Sequence, residues 1–258
     1  MASYRYRAQM PADYLGVPVN AGECEIAVFS KPSESDLKMA VSLKAQGVKI
    51  VADFCDDHFS HASLGHVYHE IAKLADHIVC PTEAMAARVP VDKPRTVIPD
   101  PVETPRRVPH AYGENLLWFG HSSNLFTVEP YRKLPNLRIV SGPKEAEGVT
   151  FWSPANIKRA MAEANICLLP TAIGHEYKSN NRFLNAVNAG LFPVCNRHPS
   201  YAEFKGLAWI GDIIDGVRWS LKEKDFLDEL VLELQEIVNK NYSIEAVGEK
   251  WRDLLESI

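Results

Sequence analysis

Short apolar runs alternate with amphipathic stretches almost from end to end of this chain, and that alternation narrows its fold more than any other feature. Before residue 103, "CEIAVFS", "VKIVADF", "HIVCP" and "RTVIPDPV" read as strands. Between them lie "ESDLKMAVSLKAQG", closed by Gly47, "LGHVYHEIAKLAD" and "TEAMAARV" with Thr82 as its N-cap. Strands that are apolar on both faces need cover on both faces, and parallel neighbours need a helical crossover. The chain is therefore α/β. A Pro-rich, charged passage, "DPVETPRRVPHAYGEN", Asp100–Asn115, then interrupts the pattern. It restarts with the strands "NLLWFG", "LRIVSG" and "VTFWS", the helix "ANIKRAMAEAN" and the strand "ICLLP". Next come a helix beginning in "KSNNRFLNAVNAG", the strand "LFPVC", the pieces "SYAEF" and "AWIGD", and two closing helices. The spacing predicts two doubly wound α/β domains, 1–103 and 104–242, followed by a last helix at 243–258. In such sheets ligands bind beyond the carboxyl ends of the strands.

A chain of 258 residues is long enough for this core, and its net charge of −5 with a pI near 6.0 argues against general attraction to nucleic acid or anionic membranes. Five cysteines lie far apart with no CxxC pair and read as buried hydrophobes in a reducing compartment. No run approaches the length of a membrane span and no signal-peptide core opens the chain, so a cytoplasmic protein is expected. Nothing in the sequence indicates an oligomeric state.

Four stretches stand where strand ends are expected. "LLWFGHSSNL" runs a strand into Gly120, His121 and Ser122, where a side-chain-free backbone and hydroxyls can approach an anion. Lys178, Asn181, Arg182 and Asn185 crowd the start of the helix that ends at Gly190, and suit a phosphate or sugar. The other reading is a capped surface helix with solvated cations. "VADFCDDHFSH" places Asp57 and His58 at the end of a strand, an acid–base pairing. His58, His61, His66 and His69 offer imidazoles without the spacing of a metal site, and no metal is expected. Arg5 and Arg7 in "YRYRAQMPADYLG" precede a helix and either clamp a ligand or line an interface. No GxGxxG follows a strand and no GxxxxGK[ST] is present, which argues against nicotinamide dehydrogenases and P-loop NTPases.

Together these stretches resemble the GT-B glycosyltransferases, in particular the retaining, nucleotide-sugar-dependent group 1 (family 4-like) enzymes. "NNRFLNAVNAGLFPVC" is similar to that family's helix–Gly–Pro–Val block, with Asn181-Arg182 at its Asn-Lys and Gly190 at its glycine. "TVIPDPVE", "LLWFGHSSNL" and "YRYRAQMPADYLG" resemble its linker, its second-domain glycine loop and its early Arg-containing segment. The chain departs from the pattern at Asn185, where the family has a ribose-binding glutamate. Its partner glutamate falls on Tyr177, with Glu176 next door. The first strand and glycine loop have no counterpart, so a compact or truncated member is expected. The resemblance implies two Rossmann-like, doubly wound domains facing across a cleft, with the last helix, 243–258, packing back on the first. It also implies transfer of a sugar from a nucleoside diphosphate sugar to an acceptor hydroxyl, with no separate cofactor or metal. It puts Gly120, His121 and Ser122 by the donor phosphates and Arg182 and Lys178 against the leaving diphosphate. Asn181 and Asn185 then position phosphate or ribose, Arg5 and Arg7 contact acceptor or phosphate, and Asp57 and His58 face sugar and acceptor. A non-catalytic sugar-nucleotide-binding scaffold and a sugar-nucleotide epimerase are the alternatives.

Overall fold

The computed structural model describes residues 2–20, 22–103, 107–144, 146–172 and 174–258. Thr104, the expected start of the second domain, lies outside the described residues. Contacts gather the chain into two units. Residues up to Pro101, Glu176–Ser179 and Asn241–Ile258 make one, and Val102–His175 with Asn180–Lys240 make the other.

The first unit opens with α1 (Ala2–Tyr4), a π-helical turn (Arg5–Gln9) and α2 (Met10–Leu15), so Arg5 and Arg7 lie within the opening helix rather than before it. Its sheet is parallel, with β1 (Ile26–Ser30), β2 (Lys49–Asp53), β3 (His77–Cys80) and β4 (Arg95–Val97) side by side in chain order. The crossovers are α3 (Glu34–Ala45), α4 (Gly65–Leu74) and α5 (Glu83–Ala86). Ser33 and Asp36 form a capping box at the start of α3, and Thr82 accepts the Met85 N–H at 3.1 Å at the start of α5. Strand order that never reverses leaves the crossover helices on one face. There Ile78, Phe54 and Met85 pack with Tyr68 and Ile71 of α4. The other face, Val51, Val79 and Ile98, is covered by Leu15 of α2 and by Val247, Trp251 and Leu254 of the last helix, α11 (Ile244–Ser257).

The second unit holds β5 (Leu116–His121), α6 (Leu125–Val128), β6 (Leu137–Gly142), β7 (Thr150–Phe151), α7 (Pro154–Glu163), β8 (Ile166–Leu169), α8 (Asn181–Asn188), β9 (Phe192–Cys195), β10 (Trp209–Ile210), α9 (Ile213–Lys222) and all but the last two residues of α10 (Leu227–Tyr242). Its six strands are parallel in the order β7-β6-β5-β8-β9-β10. Numbered within the unit this is 3-2-1-4-5-6, the dinucleotide-fold order, and it reverses between β5 and β8. The α9 helix was not legible in the sequence because Gly216 sits inside it, a poor helix former. The glycine is there for packing: a Cβ on it would lie 2.5 Å from Val194 Cγ1.

Gly190 ends α8 with φ +83°, a left-handed conformation costly for other residues, and a Cβ there would lie 2.6 Å from Pro109 O and 2.7 Å from Val108 O. The Pro-rich passage thus crosses tightly over this helix end, where His110 Nδ1 meets Gly190 O at 2.7 Å.

Candidate functional site

In the second unit the strand order reverses between β5 and β8, and it is beyond the carboxyl ends of the strands at such a switch point that sheets of this kind bind ligands. Gly120 stands at the end of β5, paired in register with Ser141, whose hydroxyl donates to Gly120 O at 3.0 Å. Arg182 reaches the same place from the first turn of α8. Its guanidinium donates weakly to Phe119 O (3.4 Å) and lies 5.9 Å from the Trp118 ring centre. A Cβ on Gly120 would sit 3.1 Å from the Trp118 ring and 3.4 Å from Arg182 Nη1, so the glycine keeps this niche open. Among the described residues no carboxylate pairs with Arg182, although it is half-buried. The buried Trp118 Nε1 beside it also has no hydrogen-bond partner among them. A partly desolvated guanidinium without a counter-charge is a standing invitation to an anion. His121 and Ser122 follow directly. The His121 Nδ1 accepts the Ser123 N–H at 3.2 Å and so caps the turn Ser122–Asn124, while Ser122 is half-buried.

The amide-rich helix start divides between two tasks. Asn181 begins α8 and is half-buried, close in sequence to Arg182. Asn185, expected to face a ligand, points inward instead: its Oδ1 accepts the Glu103 N–H at 3.1 Å and its Nδ2 donates to Asn181 O at 2.8 Å. Asn188 is likewise buried and accepts from Asn239 Nδ2 at 2.9 Å, while its carbonyl takes the Val108 N–H. The Asn185 amide thus satisfies backbone of the polar passage and of its own helix, while the Asn188 amide pairs with Asn239 of α10. Lys178 lies before the helix and belongs with the first unit.

The first unit brings a different set together. Arg7, expected at a ligand, is instead buried at 2% exposure. It makes a two-pronged pair with Asp53 (Nε–Oδ2 3.0 Å, Nη2–Oδ1 2.6 Å) and reaches Ile98 O at 2.6 Å and Asp100 Oδ1 at 3.4 Å. The π-helical turn swings it inward. Burial alone would lower the Arg7 pKa, but Asp53 outweighs it and the guanidinium is held charged. Burial pushes the Asp100 carboxyl up, against the pull of Arg7 and of a 2.6 Å hydrogen bond from Ser179. Arg5 keeps its guanidinium 5.6 Å from the Tyr6 ring centre on the same helix.

Past β2, the turn Asp56–His61 is pinned by ion pairs. Asp56 pairs with Lys31 at 2.7 Å. Asp57 pairs with Arg88 at 3.0 Å and caps the turn by accepting the Phe59 N–H at 3.2 Å. Asp57 is thus engaged in holding the loop rather than free for proton transfer. His58 stands edge-on to His61 and Tyr68, with ring centres 5.5 and 5.2 Å away, and its ring nitrogens make no hydrogen bond among the described residues. Burial lowers its pKa, with further lowering by Lys31 and His61 against the pull of Asp56 and Asp57, so the imidazole is neutral at pH 7. Such a group accepts protons. His66 is tied to Glu34 at 2.7 Å, and among the described residues no group of three His, Cys, Asp or Glu is placed to hold a metal.

The sequence matches no protein-family model and no curated protein. Solved structures do match. The Anabaena protein Alr3699/HepE in complex with UDP and glucose superposes with a TM-score of 0.73 at 12% identity, over 99% of this chain and 83% of that one. Its complex with UDP-glucose gives 0.72 at 12% identity, over 91% and 79%. The E. coli trehalose-6-phosphate structure bound with UDP-2-fluoro glucose gives 0.60 at 13%, over 99% and 78%. The fold is GT-B. At 12–13% identity the likeness to these GT-B structures is one of backbone architecture. No helix among the described residues is long and apolar enough to cross a membrane.

Proposed function

We propose that this GT-B chain is a glycosyltransferase that moves a sugar from a nucleoside diphosphate sugar to an acceptor hydroxyl, in the cytoplasm. The observation that carries the reading is Arg182: a half-buried guanidinium with no carboxylate partner among the described residues, beside a glycine, where the strand order of the second sheet reverses. That is where a dinucleotide-type fold binds phosphate. The UDP-sugar complexes of Alr3699/HepE and the E. coli protein support the same ligand class here.

Breaking the glycosidic bond leaves negative charge on the departing diphosphate. Arg182 and the positive end of α8 would stabilise that charge, which grows toward the transition state and so accelerates the step rather than merely tightening binding. Cations of the chain fill the place of a divalent metal in this reading, and no cofactor is needed. Gly120 and Ser122 would give the phosphates backbone and hydroxyl contacts, with Asn181 at the helix start. His58 of the first unit, neutral at pH 7, would take the acceptor hydroxyl's proton.

The test is Arg182→Ala in a thermal-shift titration with UDP and UDP-glucose. Ligand should raise the melting temperature of the wild-type protein, because it binds only the folded state. The variant should lose at least tenfold in affinity, about 1.4 kcal/mol, while its ligand-free melting temperature stays near wild type. Wild-type affinity in Arg182→Ala would remove the assignment. Binding of UDP-sugar with neither hydrolysis nor transfer across an acceptor panel would make the chain a sugar-nucleotide-binding subunit.

A further inference from the structure

Four residues between β8 and α8, Glu176–Ser179, count with the first unit although the chain on both sides of them counts with the second. Within the first unit this segment is fastened at three points. Tyr177 O accepts from Thr82 Oγ1 at 3.3 Å, and the Tyr177 ring lies 5.1 Å from the Arg88 guanidinium. The Ser179 hydroxyl donates to Asp100 Oδ2 at 2.6 Å, next to the buried Arg7. Arg88 in turn holds Asp57, and the other oxygen of Asp57 caps the turn at Phe59. A line of contacts thus runs from Tyr177 through Arg88 and Asp57 to the turn that carries His58.

Arg88 alone would hold that turn poorly. Its side chain is 44% exposed, and an exposed ion pair must overcome the rotamer entropy of a long side chain and the screening of water. The Tyr177 ring changes this by giving the guanidinium a face to rest on, which fixes its orientation toward Asp57. We propose that Tyr177 and Arg88 are positioning residues for His58: the docked segment keeps Arg88 on Asp57, and Asp57 keeps the imidazole of the next residue in place. The inference rests on the proposed role of His58.

His58 faces Asp56 and Asp57 of its own turn, Lys31 at the end of β1, His61, and Tyr68 of α4. Of these, only Asp57 depends on Arg88. Loss of the guanidinium leaves the charge of Asp57 to act on the imidazole without its counter-ion, so His58 should hold its proton to higher pH.

The experiment is an NMR titration of the His58 ring in the full-length chain for wild type, Arg88→Gln, Tyr177→Leu and Tyr177→Phe. Arg88 is exposed enough for its replacement to leave the fold intact, so that variant decides the matter even where Tyr177→Leu does not fold. Arg88→Gln and Tyr177→Leu should each raise the His58 midpoint by roughly half a pH unit, and Tyr177→Phe, which keeps the ring, should titrate as wild type. Where transfer is measured, the acid limb of kcat should move the same way with the KM for donor sugar unchanged. A His58 midpoint unmoved in Arg88→Gln, or Tyr177→Phe behaving as Tyr177→Leu does, would overturn the proposal. The titration needs no turnover, so a chain that transfers no sugar would sink the glycosyltransferase reading and still leave the Tyr177–Arg88 question answered.

Discussion

Arg7 is one guanidinium set against two buried carboxylates, Asp53 and Asp100, with Ser30 adding a 2.7 Å hydrogen bond to Asp53. Truncating it leaves uncompensated charge in a dry interior, so Arg7→Ala should destabilise the protein by about 3–5 kcal/mol in urea melts. Arg7→Lys should recover little, since an ammonium cannot make the two-pronged bond. A loss below about 1 kcal/mol, the worth of a surface pair, would show the cluster to be wetter than its burial implies. The contrast with Arg182 shows what can be read at this scale. Both arginines sit near an expected helix start in the sequence, and residue type alone allows a ligand at both. What separates them is whether a carboxylate from another strand arrives beside the guanidinium. Asp53 lies 46 residues from Arg7, and the π-helical turn that rotates Arg7 toward it leaves no mark in the pattern "YRYR".

The block from α8 through Gly190 to β9 was legible at the level of the element. Its apolar positions Phe183, Leu184 and Val187 are fully buried, the glycine stops the helix, and "FPVC" forms a strand buried throughout. Gly190→Ala should cost about 1–3 kcal/mol for the left-handed backbone, with the contacts to the Val108 and Pro109 carbonyls making it worse. Chemical melts of the variant check this, and wild-type stability would mean the crossing passage gives way easily. The amide content of the same helix was legible as unusual but not as to purpose. Two of the four asparagines turn to distant partners: Asn185 accepts the Glu103 N–H, 82 residues earlier, and Asn188 accepts from Asn239, 51 residues later. The α9 helix was missed for a related reason, since the glycine that weakens its pattern is required by Trp209 and Val194 across the gap to β10 and β9.

At the scale of the whole molecule the last helix belongs to the first unit. Trp251 is 2% exposed and, with Val247 and Leu254, covers the face of the first sheet that no crossover helix reaches. Trp251→Ala should therefore cost about 3–5 kcal/mol, and hydrogen exchange should show the loss first in β2 and β3, some 170 residues or more away in sequence. Protection lost in α9 and α10 instead would contradict that packing. By itself the sequence determined the local currency of this fold: which runs are strands, which are helices, that the strands are parallel and covered, and that a polar passage separates two such series. Those are consequences of hydrophobic period and chain stiffness, which act over a few residues. Only the tertiary structure decided that the second sheet reverses its order between β5 and β8, that among the described residues Arg182 has no acid where Arg7 has two, and that four residues before α8 are fastened in the first unit. Each of these depends on charges and hydrogen bonds between segments tens of residues apart, and no local pattern encodes who will be the neighbour.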